Sequence, residues 1–187
     1  MNRFASRAGQ KLDHALATFG VNPTGWLCAD LGCSTGGFVD CLLQHGAAKV
    51  FAVDTGYGVL DWKLRKDPRV MVMERTNAMH VTLPEKVKLV TIDVGWTKQR
   101  FILPAAAKLL ASQGAIITLI KPHYEAEPAL LKNGVLPVEL VDRVVEKVKA
   151  EITHAGLNLL GLTPSPITGS GGNAEVLALL NVAEAAA

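Results

Sequence analysis

The 187-residue sequence predicts an α/β fold: a seven-stranded, mostly parallel sheet with an antiparallel closing hairpin and helices on both faces. Three observations carry that expectation. Short apolar runs alternate with longer segments of helical period along most of the chain. Several runs, such as Val50-Phe51-Ala52-Val53 and Ala115-Ile116-Ile117-Thr118-Leu119-Ile120, are nearly unbroken, as in strands covered on both faces. The last two runs are joined by Thr163-Pro164-Ser165-Pro166-Ile167-Thr168-Gly169-Ser170-Gly171-Gly172-Asn173, which leaves no room for a crossover helix, so they must pair antiparallel.

Taken in order, Ser6 is placed to cap a first helix whose apolar positions Ala8, Leu12, Ala15, Leu16 and Phe19 share a stripe, and Gly20 is placed to end it. Arg7, Lys11 and His14 edge that stripe. Strands are expected at 26–30, 49–54, 70–74, 89–94 and 115–120, with 157–162 and 175–182 forming the hairpin. Helices fill the intervals at about 36–45, 58–65, 100–110 and 137–155. The last has a stripe, Val141, Val144, Val145, Val148 and Ile152, suited to docking on the sheet. One domain over 1–187 accounts for the chain, with the N-terminal helix in 1–20 and an Ala-rich tail at 183–187 expected to fray.

Composition narrows the function classes. Nineteen Lys+Arg against seventeen Asp+Glu leave +2, so any site for a polyanion must be a local patch. Cys28, Cys33 and Cys41 are odd in number, irregularly spaced and flanked by apolar residues, which predicts buried reduced thiols rather than a disulfide framework or a metal site. No apolar stretch reaches the roughly 20 residues of a membrane span, and Met1 to Ala5 lead into a polar helix start rather than a signal sequence. A cytoplasmic protein without a membrane partner is expected.

The most informative stretch is Asp30-Leu31-Gly32-Cys33-Ser34-Thr35-Gly36-Gly37-Phe38, where a strand ending in an acid enters a glycine-rich turn that opens a helix. Its spacing is not the Gly-x-Gly-x-x-Gly of dinucleotide folds, and no Gly-Lys-Ser/Thr follows. This turns the reading from NAD and ATP toward S-adenosylmethionine (SAM): glycines admit a ligand close to the backbone, and Asp30 offers a carboxylate to an ammonium group. In such a sheet the crevice lies at the carboxyl ends of the strands, where strand order reverses. Asp30, Asp54, Asp93 and Lys121 all fall there. Asp54 is placed to accept from both ribose hydroxyls of a nucleoside, or else to cap the next turn.

Lys121 follows an apolar strand and precedes Pro122, so its stem starts in the core and it needs a partner. Asp93, between Ile92 and Val94, is the natural one. Glu175 opens the last strand and Lys11 lies on the docking helix; each of the four could singly be an ordinary strand-end or surface charge.

The order Lys11, Asp30-Leu31-Gly32…Gly36-Gly37-Phe38, Asp93, Lys121-Pro122, Glu175 resembles the FtsJ-like ribose 2′-O-methyltransferases, and within them the TlyA branch, often labelled hemolysins. The matching phrases include Ser6-Arg7-Ala8-Gly9-Gln10-Lys11-Leu12, Val53-Asp54-Thr55-Gly56-Tyr57-Gly58, Glu74-Arg75-Thr76-Asn77-Ala78 and Leu162 to Gly169. The resemblance implies a Rossmann-like class I SAM-dependent methyltransferase fold and a Lys-Asp-Lys-Glu tetrad at Lys11, Asp93, Lys121 and Glu175. It implies a SAM site using Asp30, Gly32, Ser34, Thr35, Gly36, Gly37, Phe38, Asp54 and Asp93, with Asn77 at the adenine. It also implies an rRNA or ribosomal-subunit substrate, and rRNA 2′-O-methylation as the activity.

The sequence departs from the branch in three places. An S4-type RNA-binding module usually precedes the first helix and this chain starts at that helix, so RNA affinity is expected from the catalytic domain or another chain. Gly95-Trp96-Thr97-Lys98-Gln99-Arg100 replaces a Ser-Phe phrase, and 126–136 lacks a glycine- and acid-rich one. Arg3, Arg7, Lys11, Lys98, Arg100 and His123 are either phosphate contacts around the mouth or ordinary solvated helix-face charges, and Trp96 either stacks on a base or belongs to the core. Lys121 acts either as base or as an ammonium that steers the hydroxyl. Two rivals stay open: a methyltransferase for a non-RNA substrate, and a non-catalytic SAM- or RNA-binding protein. Oligomeric state is open.

Overall fold

The computed structural model describes residues 3–183; the expectation for the tail falls almost wholly on 184–187, outside the described residues. The strands are β1 (Leu27–Leu31), β2 (Lys49–Val53), β3 (Val70–Met73), β4 (Val87–Ile92), β5 (Leu110–Ile120), β6 (Leu157–Pro164) and β7 (Val176–Val182), in the order β3-β2-β1-β4-β5-β7-β6. β1 to β5 are mutually parallel, and β7 lies antiparallel between β5 and β6. The order reverses between β1 and β4, which places the crevice above their carboxyl ends.

The helices are α1 (Ala8–Phe19), α2 (Gly37–Gln44), α3 (Trp62–Lys66), α4 (Gln99–Leu109), α5 (Pro122–Glu125) and α6 (Val138–His154). One apolar cluster under α1 and α2 joins Leu12, Leu16, Phe38 and Leu42 to Cys28, Val50, Leu89 and Ile117 on one sheet face. The other joins Ile102, Leu103, Val148 and Ile152 to Leu31, Phe51, Val90 and Ile116. Burial on both faces explains the unbroken strand runs. The stripe of α6 is buried as expected at Val144, Val145, Val148 and Ile152, and all three cysteines are buried free thiols.

Local chemistry moved several boundaries. α1 starts at Ala8, and Ser6 sits one residue before its N-cap, accepting the Ala8 N–H at 3.3 Å. Gly20 ends the helix in the left-handed conformation (φ 66°). α3 is much shorter than expected because residues 58–60 are drawn off by the Glu74 carboxylate, which accepts their backbone N–H groups, and Asp61 then caps the helix through the Lys63 N–H. β5 begins five residues early, at Leu110, across a register shift opposite Val87 and Leu89. The 126–136 segment folds as a short 3-10 turn (Pro128–Leu130) and an Asn133-Gly134 reversal closed by a Lys132–Val135 bridge.

Gly37 is needed where α1 meets α2, because a Cβ there would collide with the Ser6 hydroxyl and lie 2.9 Å from the Gly9 nitrogen. Gly37→Ala is therefore expected to push the start of α1 off α2 and to lower stability by roughly 1–3 kcal/mol in urea unfolding. Wild-type stability would refute this packing.

Candidate active site

The strand ends deliver the site. Leu31 pairs with Ile92 and with Val53, so Gly32, Asp93 and Asp54 stand side by side immediately beyond the parallel sheet. Gly32 (φ 86°) lets the chain turn there, since a Cβ would lie 2.6 Å from the Asp93 carbonyl oxygen. On the other side Ile120 is paired with Val176, so Lys121 and Glu175 face each other just past the last antiparallel pair.

Two adjoining cavities occupy this edge. The first, about 490 Å³, is walled by the glycine-rich turn and by Asp30, Asp54, Asn77, Asp93 and Lys121. The second, about 670 Å³, lies among Lys11, Asp93, Lys121, His123 and Glu175 beneath the 168–172 loop. Ser6, Ala8, Asp93 and Lys121 belong to both walls.

The expected tetrad converges on the second cavity as two ion pairs. Lys121 Nζ lies 2.6 Å from Asp93 Oδ1 and donates to the Val94 carbonyl at 3.1 Å. Lys11 Nζ is paired with Glu175 Oε2, and both side chains are buried. Charges so removed from water persist only when paired. The Lys11–Glu175 pair also ties the first helix to the entry of the last strand. Gly169 leaves room for it, because a Cβ there would overlap the Glu175 carboxylate.

Asp30 is buried, and its Oδ1 accepts from the Thr91 hydroxyl at 2.7 Å. Burial, opposed by that hydrogen bond and reinforced by Asp93 and Asp54, pushes its carboxyl up to about 8. Asp54 accepts the Ser34 N–H through Oδ2 at 2.8 Å and the Gly56 N–H through Oδ1 at 2.7 Å, so it braces the turn and keeps further lone pairs. Asn77 uses Oδ1 to accept the Met79 N–H at 2.9 Å, leaving its amide N–H groups for another partner.

Of the residues expected in the cofactor site, Asp30, Gly32, Ser34, Gly37, Phe38, Asp54, Asn77 and Asp93 line the first cavity. Thr35 and Gly36 do not. The Thr35 carbonyl accepts the Asp61 N–H, and Gly36 is pressed against Leu60 and Leu64.

The expected phosphate contacts divide. Arg7 lines the second cavity and donates to the Thr168 carbonyl. Arg3 is paired with Asp13, Lys98 donates to the Glu125 carbonyl, and Arg100 lies 3.9 Å from Glu151 on α6, so none of the three lines either cavity. His123 is buried in the wall of the second cavity with Nδ1 unpartnered, and burial, then Lys121 and Lys11, lower its pKa. Trp96 is 84% exposed and stacks on Tyr124 at 4.7 Å, which overturns a core role.

Two positioning residues escaped sequence reasoning. Glu125 accepts the Gln99 N–H at 2.7 Å and so caps α4, fixing the Lys121 turn to that helix. Asn173 accepts from Leu136 N–H and donates to the Gly134 and Ser170 carbonyls, pinning the 133–136 reversal to the loop over the second cavity. Its only signal is a polar residue ending a glycine run.

The family model described as FtsJ-like methyltransferase matches residues 4–182. The chain is 40% identical to YqxC of Bacillus subtilis, named as an rRNA methyltransferase, over 94% of this chain and 64% of that protein. It is 39% identical to the 16S/23S rRNA (cytidine-2'-O)-methyltransferase TlyA of Mycobacterium tuberculosis, over 92% of this chain and 66% of that protein. It thus spans about two thirds of the length of these relatives. A solved hemolysin-named protein of Streptococcus thermophilus superposes with a TM-score of 0.94 at 38% identity, covering 99% of this chain and 69% of the other. Solved methyltransferases only 17% identical, at TM-scores of 0.71 and 0.65, share the fold alone.

The raised pKa of Asp30 has a defined sign in the unliganded protein. From its ordinary value near 3.8 up to about 8, the folded state holds a proton that the unfolded chain releases. Stability should therefore fall as pH rises through that window, by at most about 1.4 kcal/mol per pH unit. Urea unfolding from pH 5 to 8 should show this slope, and Asp30→Asn should flatten it; identical profiles would contradict the assignment. With the family model matching nearly the whole chain, the chain belongs to the FtsJ-like methyltransferase family.

Proposed function

We propose that this chain transfers the methyl group of SAM to a ribose 2′-hydroxyl of ribosomal RNA. The observation that carries the reading is the shared wall: Asp93 and Lys121 face both cavities, so a donor in the first and a hydroxyl in the second meet across them. The names of the relatives support the substrate class, since YqxC is named for rRNA and TlyA for rRNA cytidine 2′-O-methylation.

The residues of the first cavity fit SAM. Asp30 is a buried acid with one oxygen engaged by Thr91, a natural counter-charge for an ammonium group. Asp54 retains acceptor capacity for ribose hydroxyls, and the Asn77 amide can donate to an adenine ring. Bound SAM supplies an electrophilic methyl on a sulfonium whose departure leaves a neutral thioether. Alignment is then the main task of the protein, and in ideal intramolecular reactions alignment is worth about 7–11 kcal/mol.

In the second cavity an incoming hydroxyl meets lysine donors and carboxylate acceptors. Lys121 gives one N–H to Asp93 and one to the Val94 carbonyl, which leaves its third donor to steer the hydroxyl oxygen; as the O–CH3 bond forms and the S–CH3 bond breaks, the hydroxyl proton passes to a carboxylate of the same cavity, Asp93 or Glu175, and from there to solvent. Asp93 holds Lys121 in place, while Lys11 and Glu175 complete the far side. Trp96 lines the first cavity and stacks on Tyr124, which lines the second, so its exposed ring offers a nucleobase a face between the two.

Methyl incorporation from tritiated SAM into rRNA, together with calorimetric SAM affinity, tests this reading. Lys121→Ala should bind SAM with little change and lose about 100-fold or more in methylation rate. Trp96→Ala should raise the RNA concentration needed for half-maximal rate, since base stacking is worth about 1–3 kcal/mol. A Lys121→Ala protein methylating at the wild-type rate would end the assignment.

A further inference from the structure

The loop between β2 and β3 carries a surface that neither cavity uses. Tyr57 and Trp62 are 72% and 66% exposed, large aromatic areas for a water-facing loop. Each has a cation over its ring: the Arg75 guanidinium lies 4.2 Å from the Tyr57 centroid, and Lys66 Nζ lies 4.6 Å from that of Trp62. Lys63 adds a third positive charge on α3.

The carboxylates here are already engaged. Asp61 caps α3, Asp67 is paired with Arg69, and Glu74 is paired with Arg65. Among the described residues Lys63, Lys66 and Arg75 form no ion pair, so the surface is left positive.

It is also rigid. Glu74 accepts the N–H groups of Gly58 and Val59 at 2.9 and 3.1 Å, and the Arg75 N–H donates to the Gly56 carbonyl at 3.0 Å. Leu60 and Leu64 are buried beneath, against Gly36. The backbone that carries the rings is thus fixed by these contacts. Thr55 and Thr76, beside Gly56 and Arg75, line the first cavity, so the shelf borders its mouth.

We infer that the Tyr57–Arg75 and Trp62–Lys66 pairs form a second RNA-binding shelf, separate from the nucleotide to be methylated, that stacks unpaired bases of the substrate and neutralises their phosphates. Aromatic rings and a guanidinium plane accept bases of any sequence, and lysines beside them meet the backbone. A protein-docking surface would carry an apolar centre depleted of Lys, whereas here a cation sits on both aromatics. The inference rests on the proposed RNA substrate.

The test is fluorescence anisotropy of the full chain with a fluorescein-labelled, 20-nucleotide, mixed-sequence single-stranded RNA, with tritium incorporation into rRNA measured alongside. Tyr57→Ala combined with Trp62→Ala should weaken binding at least 5-fold, the low end of about 5- to 150-fold expected per stacked base. Tyr57→Phe with Trp62→Phe should restore most of it, and Lys66→Gln should reduce the salt dependence by about one phosphate contact. SAM affinity and the thermal midpoint should not move in any variant. Undiminished RNA binding by the double alanine variant would overturn the shelf alone, as would a loss confined to self-association in sedimentation. A wild-type chain that neither binds nor methylates RNA would overturn the shelf together with the substrate assignment.

Discussion

Two lysines and two carboxylates share one wall, Lys11 and Glu175 buried and Lys121 and Asp93 half-buried, and they are held there as pairs. Removing one partner from a buried pair commonly costs about 3–5 kcal/mol, because the remaining charge has neither solvent nor counter-ion. The Lys11–Glu175 pair joins residues 164 positions apart, and the Lys121–Asp93 pair joins the ends of two neighbouring strands. Together they fasten α1, β4, β5 and β7 at the edge where the sheet order reverses. Folding therefore assembles the site, since the contacts that close the molecule also set the distance between the two cavities.

The two cavities differ in electrical character, and the difference matches the proposed reactants. The first has three acids, Asp30, Asp54 and Asp93, in a space shielded enough to raise the Asp30 carboxyl to about 8. Such a site favours a ligand carrying positive charge. The second sets Arg7, Lys11 and Lys121 against Asp93 and Glu175, an excess of one positive charge carried by Arg7 exposed at its edge, and that edge favours an anionic polymer. Asp93 and Lys121 stand where the two fields meet. The near-neutral total of +2 conceals this separation, because the charges cancel in number but not in position.

The sheet and its crevice were legible because their signals are local. Unbroken apolar runs marked the central strands, and Asp93 and Lys121 stood out as charges beside strands that should be apolar. Lys11 and Glu175 carried no such mark; only the resemblance raised them, since a pair so distant in sequence has no local pattern. A glycine-rich phrase marks Thr35 and Gly36 for the cofactor, yet the same phrase also has to meet the start of α3: Gly36 packs against Leu60 and Leu64, and the Thr35 carbonyl accepts the Asp61 N–H. The short α3 reflects competition by the Glu74 carboxylate for backbone N–H groups, which helical period cannot reveal. Lys98 and Arg100 were read as phosphate contacts from charge alone, whereas the turn of α4 directs them to Glu125 and Glu151.

What distinguishes this account from methylation of a base is the acceptor atom. A ribose 2′-O-methyl group blocks the hydroxyl that alkali needs to cleave the adjoining phosphodiester, whereas a methylated base does not. Alkaline hydrolysis of rRNA labelled with tritiated SAM by this chain is therefore decisive. The account predicts label in alkali-resistant dinucleotides; label recovered only in mononucleotides would contradict it.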